Sequence, residues 1–179
     1  MIYTAHCNSP IGPLFLAEED GALTGLWMDG QKYFLGALAR EPMEERSTPV
    51  LLQTVQWLER YFAGQRPPAD SIPLAPRGSP FRQEVWSILR DIPYGRLTTY
   101  GAIARTLAAR HNRPSMSAQA VGGAVGHNPI SILIPCHRVV GSDGSLTGYA
   151  GGLEKKIQLL ALEGIPADTL RIPRKGTAL

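Results

Sequence analysis

The feature that most constrains this chain is the segment at residues 132–140, where a cysteine and a histidine interrupt an apolar run. The flanks, residues 132–134 and 139–140, are rich in β-branched side chains and predict two short buried strands. Pro135 has no N–H to donate and favours extended geometry before it, so Cys136 is expected at a strand end. A thiol beside an imidazole and a guanidinium is a candidate thiolate, although a small apolar cysteine inside a core is the common alternative.

Length and cysteine content limit the class of protein. A chain of 179 residues can bury a core and is long enough for one or two domains. No apolar run is long enough to cross a bilayer, and residues 1–6 resemble a strand more than a leader peptide. The two cysteines, Cys7 and Cys136, are too few for a disulfide scaffold, which favours a reducing, cytoplasmic setting without membrane contact.

Charge is distributed unevenly along the chain. Residues 1–78 carry 6 Lys and Arg against 9 Asp and Glu, whereas residues 79–179 carry 12 against 6. A basic second half indicates an anionic partner, usually nucleic acid, although exposed arginines also serve solubility alone.

The first half predicts a small mixed α/β domain. Apolar patterning predicts strands at 1–6, 14–18 and 22–28 with a hairpin turn between the last two, and residues 31–45 predict a helix followed by an acidic loop. A further helix begins at Pro49, behind the candidate cap Thr48, and ends at Gly64. The proline-rich residues 65–78 predict a linker, which divides the chain into domains 1–78 and 79–179.

The second half predicts a mainly helical domain. Ser79 and Thr99 each cap a helix, and a polar loop at 110–116 leads to a short helix at 118–125. Two helices joined by such a loop have the outline of a helix-turn-helix. The predicted fold class is therefore α+β with two domains, the second one winged-helix-like and ending in a helix at 153–163.

The helix at 118–125 has an unusual composition. Gly122 and Gly123 each cost roughly 1 kcal/mol relative to alanine, and few side chains of the helix are long enough to read a major groove. Such a thin helix suits tight packing within the fold or insertion into the minor groove of DNA. The nearby basic residues Arg105, Arg110 and Arg113 favour the DNA interpretation.

Two segments after the cysteine complete a candidate pocket. Residues 147–152 are mostly small apart from Tyr149 and suit a pocket for a flat ligand, although an ordinary glycine-rich connection has the same composition. Glu163 lies one turn beyond inward-facing leucines, and a buried carboxylate needs a partner, for which His137 is the candidate. A basic tail follows at Arg171, Arg174 and Lys175.

One family shares this combination of features. The chain resembles the O6-alkylguanine-DNA alkyltransferases in the string Pro135-Cys136-His137-Arg138-Val139, in Asn128 and in the loop at 149–152. The resemblance implies a monomeric DNA repair protein that irreversibly transfers a methyl or other alkyl group from O6 of guanine to its own cysteine, with O4 of thymine as a further candidate. It implies double-stranded DNA entered from the minor groove, a flipped-out nucleotide, no cofactor, no metal and no obligate protein partner.

The resemblance also implies roles for individual residues. Cys136 matches the acceptor, His137 the base that deprotonates it through a water molecule, and Glu163 the carboxylate that orients the histidine. Tyr100 matches the tyrosine that helps turn the nucleotide out and donates to the base, and Asn128 matches the hinge of the active-site turn. The implied DNA-binding residues are Gln119, Ala120, Gly122, Gly123, Arg105 and Arg138. The implied pocket residues are Val125, Val139, Tyr149, Ala150, Gly151 and Gly152.

The sequence departs from the family at Gln119 and leaves rival functions open. The family typically has an arginine there that fills the gap left by the flipped base, so glutamine predicts weaker DNA binding or a different wedge. Some members bind zinc in the N-terminal domain, for which this chain lacks the ligands. A non-reactive alkylguanine-DNA binding protein is the main alternative, disfavoured because Cys136 is present. A cysteine hydrolase would rest on the Cys–His pair alone, and a helix-turn-helix regulator lacks base-reading side chains.

Overall fold

The computed structural model describes residues 1–173, which divide into two units. Unit 1 comprises residues 1–78 together with 129–133, and unit 2 comprises residues 79–128 and the chain from Ile134 onward. Of the expected basic tail, Arg174 and Lys175 lie outside the described residues, and Arg171 lies 3.6 Å from the Asp143 carboxylate.

Unit 1 is built on a four-stranded sheet. The strands lie in the order β3-β2-β1-β4, with bounds β1 Ile2–Cys7, β2 Leu14–Glu19, β3 Ala22–Met28 and β4 Met43–Glu45. The first three strands were predicted and are confirmed; β1 and β3 both pair antiparallel with β2. Asp20 and Gly21 have φ angles of 54° and 79° and close the hairpin with the twist that antiparallel strands require.

The helix predicted within residues 31–45 was wrong. A 3₁₀ turn at Gly36–Leu38 and the strand β4, parallel to β1, occupy this stretch instead. Tyr33 and Leu35 have φ angles of 60° and 62°, and left-handed residues cannot continue a right-handed helix. The apolar residues here still reach the core, because Leu38 packs in a buried cluster with Trp27.

The proline-rich stretch at 65–78 is more than the predicted linker. The Leu23 N–H donates to the Pro73 carbonyl and the Leu23 carbonyl accepts from the Ala75 N–H, both at 2.8 Å. The stretch therefore pairs with β3 through backbone hydrogen bonds. Proline permits this pairing because it lacks only the N–H, and its carbonyl still accepts a hydrogen bond. Before it lies α1, Pro49–Phe62, which is capped by Thr48 as predicted.

Unit 2, within the described residues, contains four α-helices and a two-stranded parallel pair. Their bounds are α2 Pro80–Arg90, β5 Thr98–Thr99, α3 Tyr100–Arg110, α4 Ala118–Gly126, β6 Val139–Val140 and α5 Leu153–Leu162. Side chains of Ser79, Thr99 and Ser117 cap α2, α3 and α4 by accepting a backbone N–H three residues later. β5 pairs with β6, so the start of α3 lies beside the chain that follows Cys136.

The segment between α4 and β6 differs most from its prediction. Residues 132–134 are buried as expected but form a turn rather than a strand, with Ile132 at a φ of 70°. Ser131 donates its hydroxyl to Gln31 at 3.1 Å, and Ile130 bridges Leu26 of β3, so residues 129–133 belong to unit 1. These distant contacts hold a β-branched residue in a conformation that its local sequence disfavours.

Candidate active site

Cys136 begins a 3₁₀ turn, Cys136–Arg138, so its predicted place at a strand end was wrong. The residue is only 5% exposed, and its N–H donates to the Ile134 carbonyl at 2.8 Å. Asn128 donates from Nδ2 to the same carbonyl at 2.7 Å and to the Cys136 Sγ at 3.1 Å. An amide nitrogen carries two hydrogens, so both bonds form together and Asn128 fixes the sulfur relative to its turn.

Glu163, the residue that follows α5, gathers donors from three residues. Its Oε1 lies 2.7 Å from His137 Nε2 and accepts from Arg138 Nη2 at 2.9 Å. Its Oε2 accepts from Arg138 Nε at 2.8 Å and from the Gly95 N–H at 3.1 Å. Gly95 has a φ of 69°, and a Cβ there would come within 2.9 Å of the Glu163 carbonyl, so glycine is required. The expected contact between Glu163 and His137 is present.

Arg138 is buried, which contradicts its prediction as a DNA-binding residue. It is 8% exposed, makes the two bonds to Glu163, and donates from Nη1 to the Ile92 carbonyl at 2.6 Å. Its guanidinium also lies 5.8 Å from the centre of the Tyr94 ring. The fork geometry of arginine suits this carboxylate, and a guanidinium that is turned inward onto Glu163 and Ile92 presents little surface to a phosphate.

The buried pair fixes the protonation of the imidazole. Burial works to raise the pKa of Glu163, but hydrogen bonds from His137 and Arg138 overcome it and hold that pKa well below its ordinary 4.5. Burial lowers the pKa of His137 below its ordinary 6.5, although Glu163 opposes this shift. The neutral ring donates Nε2–H to the carboxylate, so Nδ1, which makes no hydrogen bond to residues 1–173, carries a free lone pair.

Lys156 is a functional candidate that the sequence analysis missed. It is fully buried in α5, and its Nζ donates to the Val139 carbonyl at 2.6 Å and to the Thr147 carbonyl at 3.1 Å. Burial lowers its pKa from 10.5 to about 8, which leaves it mostly charged at neutral pH. A signal existed: position 156 is spaced from Leu153 and Leu160 as an inward residue of the helix.

The groups around Cys136 shift the pKa of its thiol in opposite directions. Burial raises its pKa above the ordinary 9.0, whereas the Asn128 amide, the Lys156 ammonium and the Tyr149 hydroxyl each act to lower it. The expectation that neighbouring Arg138 would activate the thiol was wrong, because that guanidinium is bound to Glu163. At neutral pH the thiol therefore keeps its proton, and a base must remove it for the sulfur to react.

Two further tyrosines lie around Cys136. The Tyr149 hydroxyl is close enough to lower the pKa of the Cys136 thiol. The pKa of Tyr100 is raised by burial and by the nearby Cys136, with the Thr147 hydroxyl acting to lower it. Tyr100 is the first residue of α3 and reaches the site because β5 precedes it. Unit 2 thus brings together all five residues that the sequence analysis proposed as catalytic: Tyr100, Asn128, Cys136, His137 and Glu163.

The predicted DNA-binding residues of α4 differ in their exposure to solvent. Gln119, Ala120 and Gly123 are exposed, and a Cβ on Gly123 would meet no atom within 4 Å. Gly122 is buried in α4, which packs against α2 and α3, so burial disfavours its predicted contact with DNA. Arg105 is exposed and, with Arg113, lines a groove of about 380 Å³ beside the start of α4.

The remaining predicted pocket residues lie on three segments. Val125 and Val139 are buried, and the Val139 carbonyl accepts from Lys156. Ala150 and Gly151 are half-buried, and Gly152 is exposed with a φ of 96° at the start of α5. Among residues 1–173 no group of three or more His, Cys, Asp or Glu side chains is placed to hold a metal ion. No helix in that part of the chain is long and apolar enough to cross a membrane.

Two family models match this chain, and together they span most of it. Residues 2–76 match the ribonuclease-like domain of 6-O-methylguanine DNA methyltransferase, and residues 80–165 match the DNA binding domain of the same family.

Named relatives and crystal structures agree with the family models. The methylated-DNA–protein-cysteine methyltransferase of Haemophilus influenzae is 42% identical over 167 residues, which are 92% of this chain and 88% of the relative. The Mycobacterium tuberculosis O6-methylguanine methyltransferase matches with a TM-score of 0.76 at 40% identity, over 98% of this chain and 97% of that one. The M. tuberculosis OGT in complex with DNA matches with a TM-score of 0.74 at 40% identity, over 93% and 97%.

Proposed function

Because the chain belongs to the 6-O-methylguanine DNA methyltransferase family, we propose that Cys136 is its alkyl acceptor. The protein is a DNA repair methyltransferase that irreversibly transfers a methyl or other alkyl group from O6 of guanine to one of its own cysteines. The observation that carries the choice of Cys136 is the bond from Asn128 to Sγ at 3.1 Å, next to the buried His137–Glu163 pair. Burial raises the pKa of both cysteines, but Asn128 and Lys156 act to lower that of Cys136, whereas the Glu59 carboxylate raises that of Cys7 further.

The transfer is a displacement at the alkyl carbon. A lone pair on Sγ forms the new S–C bond while the C–O6 bond breaks, and the electrons of that bond pass to O6 of guanine. The departing guanine carries negative charge unless it receives a proton, and the Tyr100 hydroxyl is the donor that stabilises it. The product is a stable thioether, and none of the described residues beside Cys136 could restore the thiol, so each protein molecule reacts once.

His137 removes the thiol proton. Its Nδ1 lone pair accepts that proton through a bridging water molecule, and the resulting imidazolium is stabilised by Glu163 at 2.7 Å. Arg138 and Gly95 hold the carboxylate in place, so the ring keeps one orientation throughout. Lys156 stabilises the thiolate electrostatically once it has formed.

DNA binds to the surface formed by α3 and α4, which we propose act as a helix-turn-helix in the minor groove. The alkylated base lies inside the stack, so the nucleotide is flipped into the pocket at a cost of a few kcal/mol. The thin, exposed edge of α4 at Ala120 and Gly123 allows close approach, and the groove with Arg105 and Arg113 accepts backbone phosphates. Gln119 is the candidate wedge for the space that the base vacates.

The chemistry of the acceptor cysteine also favours a reducing cellular compartment. Cys7 and Cys136 are both free thiols, and the acceptor must stay reduced until it meets its substrate. We therefore expect the protein to work in the cytoplasm, and to work as a monomer because Tyr100, Cys136 and Glu163 all come from one chain.

Mass spectrometry of the intact protein tests this function. After incubation with duplex DNA containing O6-methylguanine, the wild type and Cys7→Ser should each gain the mass of one methyl group, and peptide mapping should locate it on Cys136. Cys136→Ser should gain none while still binding the duplex. Binding without any adduct on the wild type would indicate a non-reactive binding protein, and turnover of an ester would indicate a hydrolase; both outcomes contradict the proposal. An O4-methylthymine duplex in a parallel reaction defines the substrate range.

A further inference from the structure

Thr147 is a polar residue beside the reacting atoms that the mechanism above does not use. Its Oγ1 and the Tyr100 Oη are both buried and have no well-formed hydrogen bond to any of residues 1–173. The two hydroxyls are nevertheless close enough for Thr147 to act on the pKa of Tyr100. A hydroxyl left unsatisfied in a protein interior destabilises the folded state. Two such groups side by side at an active site indicate that their hydrogen bonds are completed during the reaction.

Hydrogen bonds hold the backbone of Thr147 on both sides. The Thr147 carbonyl accepts from Lys156 Nζ at 3.1 Å, and the Thr147 N–H donates to the Ser145 carbonyl at 2.9 Å. The same ammonium binds the Val139 carbonyl at 2.6 Å, and Val139 pairs with Thr98, two residues before Tyr100. Lys156 thus ties the segment that carries Thr147 to the strand pair that positions Tyr100.

We propose that Thr147 is a positioning residue for the alkyl transfer: its hydroxyl donates to the Tyr100 Oη and so leaves the Tyr100 O–H directed at the departing guanine. The inference rests on the proposed function of Cys136. It adds a residue that acts on the leaving group through Tyr100, separate from the set that activates the sulfur.

The proton movements balance in this scheme. The thiol proton passes to His137 as the S–C bond forms, and the Tyr100 proton passes to guanine as the C–O6 bond breaks. The tyrosinate that remains accepts a hydrogen bond from Thr147 until it recovers a proton from the imidazolium by way of solvent. A hydrogen bond to a charged oxygen is stronger than one to a neutral oxygen, so Thr147 stabilises the transition state more than the ground state. The Thr147 hydroxyl acts in the same direction on the pKa of Tyr100, which burial otherwise raises.

A single-turnover series with a methylated duplex tests the proposal. Thr147→Val, which keeps the shape but loses the hydroxyl, should slow methyl transfer about 10-fold or more. Its affinity for the methylated duplex, measured in a Cys136→Ser background, should not change. Thr147→Ser should restore most of the rate, and Thr169→Val, at an exposed threonine outside α3 and α4, is the matched control.

A double-mutant cycle with Tyr100→Phe separates positioning from packing. Thr147→Val should cause no further loss in the Tyr100→Phe background, because its effect passes through the tyrosine hydroxyl. Equal losses in both backgrounds, or failure of Thr147→Ser to restore the rate, would overturn the proposal. A wild type methylated on Cys136 together with a Thr147→Val protein at the wild-type rate would refute this inference alone. A wild type that gains no methyl group would instead refute the proposed function.

Discussion

Units 1 and 2 bury polar groups of different kinds. Unit 1 buries mainly neutral ones, such as Thr24, Thr54 and Ser131, each of which has a protein partner, and its buried carboxylate Glu18 accepts from a turn N–H. Unit 2 buries a carboxylate, an imidazole, a guanidinium and an ammonium, from Glu163, His137, Arg138 and Lys156. Buried charges cost desolvation that hydrophobic residues would avoid, so their concentration in one unit indicates chemistry rather than stability.

The largest expected difference between the units is in the rate of alkyl transfer. His137→Gln removes the base and should slow methylation of Cys136 by about 10²–10⁴-fold. Leu16→Ala in the core of unit 1 should lower the free energy of unfolding by about 2–5 kcal/mol but leave the rate per folded molecule unchanged. Single-turnover kinetics together with urea denaturation measure both quantities. Equal loss of rate in the two variants would remove the functional distinction between the units.

The next difference concerns one arginine–carboxylate contact from each unit. Arg138→Met leaves the buried Glu163 with fewer donors and should lower the free energy of unfolding by about 3–5 kcal/mol. Arg77→Met removes the matched contact to Glu19 in unit 1, where both side chains are partly exposed (37% and 24%). That loss should stay within about 1 kcal/mol. Urea denaturation compares them, and equal losses would show that burial does not set the strength of these pairs.

Lys156 should give unit 2 a distinct dependence on alkaline pH. Its pKa falls from 10.5 unfolded to about 8 folded, so between these values the unfolded chain binds more protons and stability should rise with pH. The full gain is about 3 kcal/mol. Cys136 acts oppositely, because its raised pKa makes the folded state lose stability as pH rises above 9.0.

Comparing wild type with Lys156→Met isolates the lysine. Urea denaturation between pH 8 and 10.5 should show the wild type gaining stability relative to the variant, while the less buried Lys155→Met follows the wild type. Parallel curves for all three proteins would mean that the Lys156 ammonium is not destabilised by burial.

The smallest expected effect lies on the DNA-binding surface. Gln119→Arg adds a cation on the exposed side of α4 and should tighten binding to duplex DNA severalfold, with the slope of log affinity against log salt steepened by about 1. Gln158→Arg adds the same charge on an exposed position of α5 and is the control. Affinity measured across a salt series distinguishes them. An unchanged affinity for Gln119→Arg would exclude a steering or wedge role for this position.

Much of the fold was predictable because its signals are local. The strands β1–β3, the caps Thr48, Ser79, Thr99 and Ser117, and the α+β class all follow from patterns within a few residues. The wrong predictions depended on distant contacts: β4 forms because β1 offers it an edge, and the chain turns at 132–134 directly after Ile130 and Ser131, which contact Leu26 and Gln31. Apolar patterns report burial reliably and backbone conformation less so.

The candidate site, like the fold, was predictable from the sequence only in part. Cys136, His137 and the carboxylate of Glu163 were identified from residue types and from resemblance, and their hydrogen-bonded neighbours could not have been. Arg138 was expected on DNA and lies on Glu163, 25 residues away in sequence, while Lys156 reaches Val139 across 17 residues. The sequence by itself determined which reactive groups the chain carries. Only the tertiary structure decided which charges are buried together, because desolvation and hydrogen-bond partners depend on packing between distant segments.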